Sequence, residues 1–210
     1  NIDIVVNELD AAVNIDLHKR ELKAERRSLN IVRLGTSGAL QDYIPVNGLV
    51  VSEYAVGLDG LLNFYEGFRT VNEDEISEAF IKHTGWQSNL PYPYCVKGDE
   101  RLYAKFSEGN HGGITATAPG FYGPQGRRLR LNPAMPDLNE LLSSFELAGK
   151  KITNFEMETS ALYGLGKMLG HNCLTVCVII ANRVTRQFTS DYKKSVEHLI
   201  ESTLQRLTIS

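Results

Sequence analysis

Four short stretches of this chain hold side chains whose types and spacing suit the recognition of a small polar molecule. In RLGTSG, Arg33 supplies a planar cationic fork, Thr36 and Ser37 supply hydroxyls, and the turn expected there supplies backbone N–H groups. That set suits a phosphate. An ordinary polar turn has the same composition, and the G-x-x-x-x-G-K-[ST] pattern of a P-loop is missing. In GFYGPQGRR, Gln125 offers a donor and an acceptor while Arg127 offers donors only. The pair matches the imide edge of a uracil, with Phe121 available to stack on the ring, although surface loops carry the same residue types. In NFEMETS, Glu156 and Glu158 bracket Met157. A carboxylate accepts hydrogen bonds from two adjacent hydroxyls, as a ribose presents them, and a methionine packs on a sugar face without needing a partner. Acids in the first turn of a helix also favour its dipole by roughly 0.3 to 1 kcal/mol. Capping and binding therefore both stand for Glu156, while Glu158 is read as a binding residue. The fourth cluster is Asn182 with Arg183.

These clusters need elements to hold them. The apolar positions Ile4, Val5, Leu9, Ala12 and Val13 recur at helical spacing from the start of the chain, and HKRELKAERRS after them reads as a solvated connector. Asn30 to Leu34 is a β-branched strand expected to stop in the Gly-Thr-Ser-Gly turn. Gly48 to Tyr65 reads as a strand and a glycine-punctuated bend. NEDEISEAFIKHTGW reads as a helix opened by Asn72 and closed by Gly85, with Ile76, Phe80 and Ile81 inward. GGITATAPG is a strand feeding the Gln125 loop. PDLNELLSSFELAGK is a helix with Asp137 as cap and Gly149 as its close. KITNF is a strand, METSALYGLGKMLGH a helix, NCLTVCVIIANR a buried strand, and SDYKKSVEHLIESTLQRL a final helix with Val196, Leu199, Ile200, Leu204 and Leu207 on one face. Strands alternate with helices throughout, which makes this an α/β chain, and no repeat or linker divides residues 1–210 into more than one domain. Each polar cluster falls at the carboxyl end of a strand, where α/β folds gather their ligands.

Composition excludes other classes. Lys and Arg number 22 against 25 Asp and Glu, a formal net charge of -3, so no global field favours nucleic acid or an anionic membrane. No apolar run approaches the ~18 residues of a membrane span, no signal peptide opens the chain, and a cytoplasmic location is expected. Cys95, Cys173 and Cys177 lack pairing or zinc-knuckle spacing and read as reduced core residues. The histidines are scattered without metal-ligand spacing, and no G-x-S-x-G elbow is present. The expectation is chemistry without a metal, a cofactor or a protein nucleophile.

Taken together, VRLGTSGALQ (Val32 to Gln41), TATAPGFYGPQGR (Thr115 to Arg127), NFEMETSALYG (Asn154 to Gly164) and VIIANR (Val178 to Arg183) resemble the nucleoside phosphorylase-I family, and within it the uridine phosphorylases, in order and spacing across nearly the whole chain. The resemblance implies a three-layer α/β/α fold with a central mixed, partly barrel-like sheet flanked by helices. It also implies phosphorolysis of uridine to uracil and ribose 1-phosphate, with inorganic phosphate as co-substrate. By position, Arg33, Thr36 and Ser37 match the phosphate ligands, and Thr36, Met157, Glu158 and Glu156 lie at the ribose. Phe121, Gln125, Arg127, Ile180, Ala181, Asn182 and Arg183 lie around the base, and Arg33, Thr36 and Glu158 are the catalytic set. The family's purine enzymes carry an acid after the last core strand, where this chain has Asn182 and then Arg183, so a pyrimidine is expected and Asn182→Asp is the natural probe.

Full-length members of that family begin earlier, with a strand, a glycine-rich loop bearing another phosphate-binding Arg, and a His and an Arg that reach a neighbouring subunit's site. The chain therefore reads as N-terminally incomplete. If the protein is as short as this chain, an exposed apolar edge and a partial phosphate site are expected; if a further segment precedes it, normal activity is expected, in a homodimer or trimer of dimers with sites at subunit contacts. A purine nucleoside phosphorylase, a nucleosidase of the same fold and an inactive nucleoside-binding fragment remain as alternatives.

Overall fold

The computed structural model describes residues 1–208. Helix α1 (Ile2–Asn14) opens the chain, capped by the Asn1 side chain, which accepts from the Asp3 N–H. A short hairpin, β1 (Ile15–Asp16) with β2 (Glu21–Leu22), follows on an exposed connector. Then come β3 (Asn30–Ala39), β4 (Leu49–Gly57), α2 (Asp74–Thr84), β5 (Tyr94–Lys97), α3 (Glu100–Ser107) and β6 (His111–Thr117). The second half holds α4 (Leu138–Ser144), β7 (Glu146–Leu147), β8 (Lys150–Glu156), α5 (Thr159–Met168), β9 (Asn172–Asn182), β10 (Gln187–Phe188) and α6 (Tyr192–Thr208).

The main sheet runs β10-β9-β3-β8-β6-β4-β5, and an added antiparallel pairing of Leu49–Val51 in β4 with Val176–Val178 in β9 bends it back on itself. The result is a mixed sheet closed into a partial barrel with helices packed around it. Three apolar clusters fill the spaces between sheet and helices. Ile76, Phe80, Leu142 and Phe145 pack α2 and α4 onto Phe155; Val6, Leu162 and Leu165 pack α1 and α5 onto Val96; Leu102, Phe106 and Leu199 pack α3 and α6 onto Leu174 and Val176. Inside the barrel a chain of buried polar groups is mutually satisfied: Ser52 and Thr115 hydroxyls meet at 2.5 Å, Thr115 donates to Asn154 Oδ1 at 2.8 Å, and Asn154 Nδ2 donates to Ser37 Oγ at 2.9 Å.

Several elements differ from their expectation. The Gly-Thr-Ser-Gly stretch is strand, not turn, because β3 is paired in parallel with β9 along its whole length and with β8 at Gly38 and Ala39. On α1 the inward residues are Ile2 and Val6, and the expected face is turned outward, with Ile4, Val5 and Leu9 exposed. On α6 only Leu199 of the apolar face is fully buried, and Ile200, Leu204 and Leu207 are exposed. Helix α2 starts without a side-chain cap; Asn72 instead accepts from the Cys95 N–H and ties the helix entry to β5. Gly149 (φ +76°) does not close α4; with Ala148 it turns β7 into β8. Among the described residues no helix is long and apolar enough to cross a membrane, and Cys95, Cys173 and Cys177 are free and buried.

Candidate functional site

A cleft of about 750 Å³ opens where β3 and β8 part company. These antiparallel strands share only the pairs Gly38↔Phe155 and Ala39↔Asn154, after which β8 ends and the chain turns into α5. Carried on past the last pair, that register sets Glu156 level with Ser37, Met157 with Thr36 and Glu158 with Gly35. The strand pairing thus delivers RLGTSG and EME to the same opening, though more than a hundred residues separate them in sequence. A second break supplies the other wall. In the β3/β9 ladder Ser37 pairs with Ile179 and Gly38 with Ala181, so Ile180 bulges out of register and lines the cleft.

At one end of the cleft Arg33 meets both glutamates. Its Nη1 lies 3.1 Å from Glu156 Oε2, its Nη2 donates to Glu158 Oε2, and Nη1 also donates to Cys177 Sγ at 3.5 Å. Gly35 makes this possible, since a Cβ there would lie 2.6 Å from Arg33 Nη1. Burial pulls the guanidinium pKa down, but Cys177, Glu156 and Glu158 push it up, and the net shift is upward.

The glutamates have separate duties. Glu156 is 4% exposed; its Oε1 accepts from Thr117 Oγ1 at 2.7 Å and its Oε2 from the N–H groups of Glu158 and Thr159, both at 3.0 Å. Those contacts cap α5 and occupy the carboxylate, so of the two roles open to Glu156 the fold shows the capping one, together with an anchor for Arg33. Burial raises its pKa, with Arg33 and Thr117 acting in the opposite direction. The Glu158 side chain is 40% exposed and holds no partner but Arg33 among the described residues. Thr36 and Met157 also line the cleft, and the Ser37 hydroxyl there accepts from Asn154.

At the other end the Gln125 side chain is gripped by two cations. Its Oε1 accepts from Arg127 Nη1 and from Arg183 Nη2, each at 2.5 Å, which leaves the donor end of the amide for a ligand. Arg183 also donates to the Gln125 carbonyl and to Asn139 Oδ1, both at 3.1 Å, and sits over the Phe155 ring at 5.1 Å. Gly38 gives it room, since a Cβ there would lie 2.9 Å from Arg183 Nε. Burial, and then the charge of Arg127, lower the Arg183 pKa to about 10; burial lowers that of Arg127 as well. Neither arginine has a carboxylate partner among the described residues, so this end of the cleft is strongly donor-rich. The Phe121 ring is covered on one face by the Arg127 guanidinium at 3.8 Å, so it flanks the cleft with that face already taken.

Of the residues expected in the site, Asn182 alone is not on the cleft wall. It is 1% exposed, its Nδ2 donates to the carbonyls of Gln41 and Ile44 at 2.8 Å each, and its Oδ1 accepts from Val184 and Thr185 N–H groups at 2.9 Å. Four backbone partners saturate the amide, which shapes the turn that presents Arg183. The Asn182 side chain therefore does not reach the cleft. Sequence reasoning missed Cys177, Phe188, Val196, Leu199 and Ile200, which contact Arg33 or line the cleft. The α6 residues gave only a core signal, and nothing local distinguished Cys177 from the other buried thiols.

A family model for the Phosphorylase superfamily matches residues 7–209. A curated uridine phosphorylase of Thermococcus kodakarensis is 32% identical over 165 residues, which is 75% of this chain and 50% of that protein, so the chain spans about half the length of this relative. Among solved structures, a Trypanosoma brucei nucleoside phosphorylase, described as showing uridine phosphorylase activity, has a TM-score of 0.83 at 27% identity over 98% of this chain and 76% of its own. A uridine phosphorylase of the oomycete Phytophthora capsici gives 0.60 at 22% identity over 100% of this chain and 71% of its own, a likeness of fold alone.

Proposed function

Because the chain belongs to the phosphorylase superfamily, we propose that the protein splits uridine into uracil and ribose 1-phosphate, with inorganic phosphate as co-substrate and without a metal or other cofactor. The observation that carries this reading is that one cleft holds two separate polar clusters, Arg33 with Glu158 seated at Gly35, and Gln125 with Arg127 and Arg183 seated at Gly38. In this reading Arg33, Thr36 and Ser37 receive the phosphate, Glu158 takes the ribose hydroxyls beside Met157, and the Gln125 end takes the base between Phe121 and the Ile180–Ala181 wall.

The chemistry follows from where charge develops. Glycosidic cleavage passes through a sugar with oxocarbenium character, so an anion held against the anomeric carbon stabilises it and is positioned to attack. The departing uracil gathers negative charge on its oxygens, and a donor-rich pocket without a carboxylate lowers that barrier. No protein nucleophile is called for. We place the working unit as a homodimer or a trimer of dimers with its sites at subunit contacts, since Phe188 and Ile200 at the cleft are 76% and 41% exposed.

A second reading, hydrolysis by water, is favoured by one feature: Arg33 already faces two carboxylates, which offsets its charge for an anion. Uracil release from uridine at saturating phosphate, set beside inosine and beside uridine without phosphate, tests the proposal. Phosphate-dependent uracil release supports it, faster inosine cleavage overturns the choice of base, and phosphate-independent release replaces phosphorolysis by hydrolysis.

A further inference from the structure

Arg33 is the group on which the proposed reaction turns, and what fixes its guanidinium is more than the two glutamates in front of it. The parallel β3/β9 register sets Cys177 beside Gly35. The missing side chain at Gly35 lets the guanidinium fold down onto the strand, with positions for a Cβ only 2.6 Å from Nη1 and 2.8 Å from Cζ and Nη2. In that seat Nη1 reaches back to Cys177 Sγ at 3.5 Å while it faces Glu156 Oε2 at 3.1 Å. Cys177 is fully buried on β9 where that strand pairs with both β3 and β4, whereas Glu158 is 40% exposed and, in the proposed reaction, is the group that must release Arg33 when substrates arrive.

We propose that Cys177 is a positioning residue for Arg33, its sulfur accepting from Nη1 so that the guanidinium keeps its orientation toward phosphate once Glu158 turns to the ribose. The inference rests on the phosphorolysis reading. A thiol suits the place because sulfur is a weak acceptor that stays uncharged there, its pKa pushed up to about 11 by burial. A carboxylate at that position would cancel the remaining positive charge of Arg33. A hydrocarbon would leave one Nη1 hydrogen without a partner in a closed space.

Three variants separate an acceptor from a filler. Cys177→Ser keeps an acceptor and loses volume, Cys177→Val keeps volume and loses the acceptor, and Cys177→Ala loses both. Uracil release is measured against phosphate and against uridine concentration, with thermal midpoints alongside. The expected result is a rise in the KM for phosphate of about fivefold for Ala and Val, the size of one ordinary hydrogen bond as a weak sulfur acceptor at 3.5 Å would make it, with the KM for uridine within about twofold, while Ser stays near wild type. A phosphate KM that follows side-chain volume, with Val like wild type, overturns the inference and leaves the function standing. Equal rises for both substrates, or no change in any variant, overturn it too. Wild-type protein without phosphate-dependent uracil release overturns the function first, and the inference with it.

Discussion

In the cleft the proposed phosphate ligand and the proposed ribose ligand are bound to each other, Arg33 Nη2 on Glu158 Oε2. Each substrate must therefore break a contact that the other would use. Glu158→Gln is the perturbation that exposes this. The amide keeps the size of the carboxylate and an oxygen that can accept from Arg33, but it drops the charge. A dianion approaching Arg33 then no longer displaces, or sits beside, a carboxylate. The wild-type pair is 17% exposed at Arg33 and 40% exposed at Glu158, so solvent screening holds its worth near the low end, about 1 kcal/mol. Phosphate should bind the variant about fivefold more tightly, since 1.4 kcal/mol is tenfold. The ribose loses a charge-assisted acceptor and keeps a neutral one, a difference of roughly 1 to 2 kcal/mol. Uridine should bind about fivefold to thirtyfold more weakly. Calorimetric titration with each substrate alone reads both numbers without depending on turnover. Opposite signs for the two substrates are the signature. A variant that binds phosphate less tightly than wild type would refute the reasoning, because Glu158 would then be supporting Arg33 and not competing for it.

Four further outcomes follow from the same contacts. Glu156→Gln places an amide N–H against the Thr117 hydroxyl or the Thr159 and Glu158 N–H groups, so it should cost about 2 kcal/mol of stability as well as activity, measured by denaturant unfolding beside Glu158→Gln, which should cost little. Gly35→Ala puts a Cβ 2.6 Å from Arg33 Nη1 and should abolish turnover by moving the guanidinium, with a melting point that falls far less than activity does. Asn182→Asp replaces the donor shared by the Gln41 and Ile44 carbonyls with an acceptor, so it should destabilise by about 2 to 4 kcal/mol and leave the preference for uridine over inosine unchanged in the fraction that folds. The Cys177 thiol is raised from 9.0 to about 11, so between those pH values the native state holds a proton that the unfolded chain has released, and its contribution to stability is present below pH 9 and lost as pH rises through 11. Cys177→Val should make that alkaline limb shallower in unfolding titrations, the buried Cys95 and Cys173 thiols supplying the rest, and an unchanged limb would assign all of it to other groups.

The elements were legible where their signal is local. The continuous apolar run of NCLTVCVIIANR, the Gly85 stop of α2 and the strand feeding the Gln125 loop all fall where composition and capping rules place them. The failures share a cause of another kind. Gly35 and Gly38 read as turn residues because glycine's usual local meaning is backbone freedom. Here the two glycines sit in an extended strand to make room for Arg33 and Arg183, and the second of these is far away in sequence. On α1 the hydrophobic period and the buried side part company: Ile4, Val5 and Leu9 carry the period and are exposed, while Val6 packs with Leu162 and Leu165 of α5.

The same distinction explains which site residues could be read from type alone. Glu156, Glu158 and Asn182 are all polar residues at a strand end, and type makes each a candidate, Glu156 with a capping role as its rival. What separates them is the number of protein groups already bound. Asn182 has four backbone partners, Glu156 has a hydroxyl and two N–H groups besides Arg33, and Glu158 has Arg33 alone. A side chain whose lone pairs and hydrogens are all taken by its own fold has nothing left for a ligand, and displacing those partners costs more than a ligand contact returns. In the proposed reaction Glu158 and the donor end of Gln125 therefore carry the recognition, and the groups around them hold those two in place.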